Sequence, residues 1–361
     1  MAEYLAPGVY VEEIGAGPKP IQGVPTATAA LLGETGRGPR RPRLVTSFAD
    51  YERTFGTGGP YLPDAVRGFF ANGGKRAFIC RLSKKGGLAR GLAALEAEDV
   101  REVALVAAPG MTAPDLTGAL IAHCEAHSRF AVIDCARDNP ATIDPRSVRS
   151  SRNAACYAPW LAVAAPGVGG RKFVPPSGHM LGIYARTDAA RGVWKAPANA
   201  VVEGALALEH AIGDGVQELL NPRGVNTIRR FPGRGIRVWG ARTLSTEREW
   251  QYVSVRRLFL YLAQSIGEGT HWVVFEPNDE PLWASVRRLV ENFLFNEWRA
   301  GALAGVKANE AFYVRCGRET MTQPDIESGR LICEIGIAPV RPAEYLTIRI
   351  GQWTADYNPG I

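Results

Sequence analysis

Between about residues 21 and 198, apolar runs of strand length alternate with segments of helical period, and few architectures satisfy that pattern. Ala27–Gly33, Arg76–Leu82, Val103–Ala107 and Phe130–Asp134 read as buried strands. Between them, Ser47–Phe55, Asp64–Asn72, Leu88–Glu98 and Asp115–His127 read as helices. In the second of these, Ala65 with Phe69 and Val66 with Phe70 lie four apart, and Gly73-Gly74 ends the helix. Strands that are apolar along their whole length are covered on both faces, so the expectation is an α/β layered domain with a partly parallel sheet. Ala154–Ala164 is expected to add one more strand.

Beyond residue 199 the pattern changes to α+β. Ala200–Ile212 has an amphipathic stripe of Val201, Ala205, Leu208 and Ile212. Glu247–Ile266 reads as a long helix and His271–Phe275 as a strand. Leu282–Arg299 is a further helix, with Val286, Leu289, Val290, Phe293 and Leu294 on one face and Arg287, Arg288, Asn292, Asn296 and Arg299 on the other. Asn278-Asp279-Glu280-Pro281 before it has the acidic groups and early proline of a helix start. Ala311–Arg315, Leu331–Ile337 and Glu344–Ile350 read as strands, the last turning Leu346, Ile348 and Ile350 inward.

The two ends are different again. Pro7-Gly8, then Val9-Tyr10-Val11-Glu12-Glu13-Ile14, then Gly15-Ala16-Gly17-Pro18 is one short β-prone run between breakers. A single strand of that length buries too little by itself and must join a sheet, in its own chain or in a neighbour's. The segment after Gly351 is a second candidate arm. The resulting division is an arm at 1–20, an α/β domain at 21–198, an α+β domain at 199–350 and an arm at 351–361.

Composition excludes several classes. The chain of 361 residues is 46% hydrophobic and 22% charged, as an ordinary globular protein is. Its net charge of +6 is thinly spread, the densest run being Arg37, Arg40, Arg41 and Arg43 in a Gly/Pro-rich stretch. That run lacks the interleaved aromatics of a nucleic-acid surface and reads as a solvated loop or a contact for an acidic protein. No stretch nears the roughly 18 apolar residues of a membrane span, and the N-terminus lacks the pattern of a signal peptide. The six cysteines are scattered, with no Cys-x-x-Cys, and read as reduced small hydrophobic residues of a protein made in the cytoplasm.

No set of residues assembles a reaction centre. The P-loop pattern is absent, and Gly233-Arg234-Gly235 and Gly167-Val168-Gly169-Gly170 read as turns. His123 and His127 share a helix face as a zinc pair would, but no third ligand is suggested nearby. Ser177-Gly178-His179 sits outside any Gly-x-Ser-x-Gly elbow, and Ser177 reads as beginning a turn or capping a bend. No cofactor and no metal are expected.

Four segments resemble the phage tail-sheath family, and most closely its compact members in extracellular contractile injection systems. They are the arm Ala6–Glu13; Val174–Asp188 running into Arg191–Asn199; Leu220–Arg229 with Phe231–Leu244; and Phe275-Glu276-Pro277-Asn278 with Leu282-Trp283. The resemblance spans essentially the whole chain, without the insertion domains of larger phage sheaths. It implies a structural subunit, not an enzyme, that stacks in hexameric rings as a helix around an inner tube, between baseplate and cap proteins. The N-terminal and C-terminal arms would pair with sheet edges of neighbouring copies. The 199–350 domain would face the tube and the inserted α/β domain would face outward. Contraction would drive the tube through a target membrane without nucleotide hydrolysis. On this reading Val9, Tyr10, Val11 and Glu12 form the inter-subunit strand arm, Leu346, Ile348 and Ile350 belong to the C-terminal sheet, and Arg287, Arg288 and Arg299 face the tube. The chain would touch no nucleic acid and insert stably into no membrane, ending in a phage tail-like particle. A tube or baseplate component of the same machine, or an α/β enzyme, is the alternative.

Overall fold

The computed structural model describes residues 19–82, 87–137, 142–165 and 169–348. Val9, Tyr10, Val11, Glu12 and Ile350 lie outside them. The chain forms two compact units, Thr26–Leu258 with 340–348, and 19–25 with Phe259–Pro339.

The larger unit begins β1 (Ala29–Gly33), β2 (Arg43–Val45), α1 (Phe48–Phe55), α2 (Leu62–Ala71), β3 (Ala77–Arg81) and α3 (Gly87–Ala94). It continues with β4 (Leu105–Ala107), α4 (Pro114–Ala126), β5 (Phe130–Asp134), β6 (Ala154–Ala158), β7 (Leu161–Ala165) and β8 (Gly170–Val174). Then come α5 (Ser177–Arg191), β9 (Ala207–Leu208), α6 (Asp214–Leu220), β10 (Val225–Phe231), β11 (Gly235–Val238) and the first turns of α7 (Val253–Gly269). The smaller unit takes the rest of α7, then α8 (Glu280–Arg299), α9 (Ala308–Ala311), β12 (Phe312–Arg315), α10 (Gln323–Glu327) and β13 (Glu334–Ile337).

An eight-stranded sheet in the order β11-β10-β6-β5-β4-β1-β3-β2 organises the larger unit. It is parallel from β10 to β3 and antiparallel at both edges, as the unbroken apolar strands require. Two of its strands, β10 and β11, come from beyond residue 198. Successive side chains alternate across it. Ala30, Leu32, Phe78, Cys80, Val106, Ala131 and Ile133 pack with Leu88, Leu92, Leu120 and Ile121 of α3 and α4. The other face is covered by α2 and α5, which touch almost backbone to backbone. A Cβ on Gly178 would stand 2.4 Å from Ala65 Cα, and one on Gly182 2.4 Å from Phe69 O.

Ser47 caps α1, accepting from Asp50 N–H at 3.1 Å. Asp279 starts α8, accepting from Leu282 N–H at 3.0 Å, and Asn278 Oδ1 accepts from Trp283 Nε1 at 2.7 Å.

Four expectations are corrected. Ala154–Ala164 is two strands, because Pro159 has no N–H for the ladder; β6 joins the large sheet and β7 a three-stranded one with β8 and β9. Ala200–Ile212 is not helical. Its backbone is taken by neighbouring strands, with Val202 N–H donating to Ile236 O at 2.9 Å and Leu206 N–H to Ala162 O at 2.8 Å, and Gly204 turns at φ +83°. His271–Phe275 is a 3-10 turn at His271–Val273 followed by Phe275 at φ +74°, not a strand. Over 341–348 no strand forms within the chain, and Leu346 and Ile348, expected to point inward, are 86% and 70% exposed.

The cysteine expectation also changes. The parallel pairing of β5 with β6 sets Cys135, just past β5, beside Cys156, and the two are joined as a disulfide. Cys80, Cys124, Cys316 and Cys333 are free thiols.

Candidate assembly interface

The smaller unit is built on α8, whose Leu282, Trp283, Val286, Leu289, Val290, Phe293 and Leu294 are buried as their helical spacing predicts. The hairpin β12–β13 is a sheet of two strands only. Both strands therefore have one edge without a strand partner among the described residues, apart from the bridge of Leu303 with Pro339 just past β13. Beside β13, the alternating residues Leu331, Cys333 and Ile335 face Val286 and Val290 of α8 across an apolar groove of about 670 Å³. Val274 and Phe275 border it, 62% and 101% exposed. An open edge beside an uncovered apolar groove is the geometry that takes an added β-strand: the backbone groups supply the pairing and the groove takes alternate side chains.

In the larger unit, the segment 340–348 is fixed at one point. Glu344 accepts from Arg242 Nε at 2.8 Å and Nη2 at 2.5 Å, from Asn221 Nδ2 at 3.2 Å and from Tyr252 OH at 3.3 Å. Burial pushes its carboxyl up, but the bonds from Arg242 and Asn221 outweigh burial and hold it below the usual carboxylate range. Arg242 and Asn221 belong to the segments that carried the sequence resemblance; their meeting at Glu344 was not foreseen. The one sequence signal was an acidic residue heading an alternating strand-like run.

The arginines of α8 divide. Arg288 and Arg299 are exposed, whereas Arg287 is half-buried, close enough to lower the pKa of the Cys316 thiol. Of the earlier basic run, Arg37 donates to Arg53 O at 2.9 Å, and Arg40 lines a small cleft with Arg81 and Arg90.

The motifs weighed for chemistry have other occupations. Ser177 is fully buried; its hydroxyl donates to Asp134 Oδ2 at 2.8 Å and its N–H to Oδ1 at 2.7 Å, so it ties the start of α5 to the end of β5. His179 is buried, with Nδ1 unpartnered among the described residues, and burial lowers its pKa to about 4. A third potential ligand does stand beside His123 and His127: Glu96 brings a carboxylate oxygen within 4.8 Å of their ring nitrogens. However, Arg129 donates to His123 Nε2 at 2.9 Å, which occupies the single lone pair of the neutral ring and sets a buried cation beside it. Arg129 also donates to Leu95 O at 2.7 Å and Val103 O at 3.1 Å, so its role there is to tie loops together. Among the described residues, no helix is long and apolar enough to cross a membrane.

A doubly covered mixed sheet, a second unit with a two-stranded hairpin, and a C-terminal segment pinned in place are the features of a structural subunit. The chain belongs to the phage tail sheath family. Residues 84–244 match the phage tail sheath protein central domain and residues 245–352 the phage tail sheath C-terminal domain. The helical sheath of the anti-feeding prophage in its contracted state is 33% identical over 97% of this chain and 100% of that one, with a TM-score of 0.84. The sheath of the PVC extracellular contractile injection system, also contracted, is 31% identical over 98% and 99%, with a TM-score of 0.83. A prophage major tail sheath protein of Pseudomonas aeruginosa is 26% identical over 50% of this chain and 47% of its own length. The chain spans half or less of the length of the curated relatives it matches.

Proposed function

We propose that the chain is the sheath subunit of a contractile injection machine, polymerising as stacked hexameric rings around an inner tube and shortening to drive that tube through a target membrane. The open hairpin β12–β13 beside its apolar groove carries this reading, since it offers sites for strands that the described chain does not fill. A neighbour's Val9, Tyr10, Val11 and Glu12 would supply one added strand. Leu346, Ile348 and Ile350, leading into the tail after Gly351, would supply another. The exposure of Leu346 and Ile348 supports this, because isolated strand-like apolar residues in water gain by pairing. Main-chain pairing tolerates rotation of the domains it links, as a contracting mesh requires. The work of contraction would come from assembly in a high-energy extended state, without catalysis.

Exposed Arg288 and Arg299 would meet an acidic tube surface, and baseplate and cap proteins would close the two ends. Synthesis in the cytoplasm would precede assembly into a phage tail-like particle. Electron microscopy of the chain expressed with its neighbouring genes, beside a version lacking residues 1–14, tests the proposal. Striated hollow tubes lost on truncation are the expected result. Small monodisperse particles from the full chain under every condition would overturn it.

A further inference from the structure

The hairpin register pairs Phe312 with Ile337, Tyr313 with Gly336, Val314 with Ile335 and Arg315 with Glu334. One further step sets Cys316 opposite Cys333. Opposed residues in an antiparallel ladder alternate between hydrogen-bonded and non-hydrogen-bonded pairs. Ala338 N–H donates to Ala311 O at 2.8 Å, which makes Ala311 and Ala338 a bonded pair. Counting on by twos, 313 and 315 are bonded positions, so 312, 314 and 316 are not. At a non-bonded pair the Cα atoms stand about 4.5 Å apart with side chains close, inside the roughly 4.4–6.8 Å range that a disulfide spans. The two thiols are close enough for each to shift the ionisation of the other.

We propose that Cys316 and Cys333 form a redox pair, oxidised by small-molecule disulfides of the glutathione class to an intrachain bond that staples β12 to β13. Cys333 is half-exposed and lines the groove; Cys316 is buried behind it. Contact with Cys333 holds the Cys316 thiol below its ordinary range, Arg287 adding to the effect, while the same contact and burial push Cys333 up, so the first proton leaves Cys316. The remaining proton passes from Cys333 to the Cys316 sulfur, and the groove-facing Cys333 thiolate attacks one sulfur of the oxidant, releasing one small thiolate. Cys316 then gives up its proton and attacks the Cys333 sulfur of the mixed disulfide, releasing the second. Two protein thiols lose two protons and two electrons, and one small disulfide becomes two thiols. The other free cysteines, Cys80 and Cys124, are buried, whereas Cys333 opens on the groove.

The test is peptide mapping and intact mass of the soluble full chain after native incubation with oxidised glutathione. The expected product has lost two hydrogen atoms, yields a crosslinked Cys316–Cys333 peptide and leaves Cys80 and Cys124 unmodified. In C316S the glutathione adduct should persist on Cys333, which identifies Cys316 as the resolving thiol. A stable adduct on Cys333 of the unaltered chain would overturn the pair. So would no native reaction in a sample whose denatured aliquot oxidises. The measurement uses unassembled chain, so its failure leaves the sheath reading untouched.

Discussion

Burying Arg257 and Asp188 together removes both charges from water, and only close pairing makes that tolerable. Arg257 donates to Asp188 Oδ1 at 2.9 Å and Oδ2 at 2.6 Å, and to Thr26 O at 2.9 Å, while its guanidinium lies 4.9 Å from the Tyr184 ring centre. Thr26 Oγ1 donates to the same carboxylate at 2.6 Å. Arg257→Met leaves Asp188 buried without its counter-ion, with the Thr26 hydroxyl still bonded to it, and should cost about 3–5 kcal/mol of larger-unit stability by urea unfolding. Adding Asp188→Leu to it should recover much of that loss. A double variant as unstable as the sum of the singles would show that the two residues act separately. Asp188 was visible in the sequence as part of a family-like segment, but nothing nominated a partner 69 positions away.

Helices α2 and α5 approach so closely because glycine faces backbone. Gly178→Ala gains up to about 1 kcal/mol of helix propensity but drives a methyl to 2.4 Å from Ala65 Cα. Overpacking of this kind costs roughly 1–3 kcal/mol, so net destabilisation is expected, read as a lower urea midpoint. The C-terminal segment depends on its own contact: Glu344→Gln keeps the shape but removes the ion pair with Arg242. Faster amide exchange confined to 341–348 is the expected result, and unchanged exchange there would show that other contacts hold the segment. Five strands of the large sheet, β1, β3, β4, β5 and β6, were legible because continuous apolar runs have one reading in an alternating α/β chain; β2, β10 and β11, which carry arginines, were not read as strands. Ala200–Ile212 was not, since its spacing suits a helix while Gly204 and the edges of β7 and β11 claim its backbone. Likewise Glu344–Ile350 alternates as a strand should, but nothing local says which sheet it would join. For the hairpin, sequence revealed both strands, β13 being shorter than the Leu331–Ile337 expected, but not the groove between β13 and α8.

The larger unit as a whole should weaken in mild acid. Burial lowers His179 to about 4; burial, then Arg129 and His127, lower His123 to about 4, from the ordinary 6.5. Both rings therefore stay neutral when folded and take a proton on unfolding. Their contribution is fully present above pH 6.5 and is lost as pH falls towards 4. Asp134 acts in the opposite sense: burial raises it from 3.8 to about 6, against the bonds from Gly110 and Ser177, so its contribution is present below 3.8 and lost as pH rises through 6. Between pH 4 and 6, unfolding thus binds two protons on the histidines and releases one from Asp134, a net uptake of one. Stability should fall by about 1.4 kcal/mol for each pH unit of acidification. Urea unfolding followed by tryptophan fluorescence from pH 4.5 to 7 measures that slope. His179→Gln removes one of the two protons taken up and should nearly flatten it. A flat profile in the unaltered chain, or an undiminished slope in the variant, would mean that the buried imidazole does not control the response.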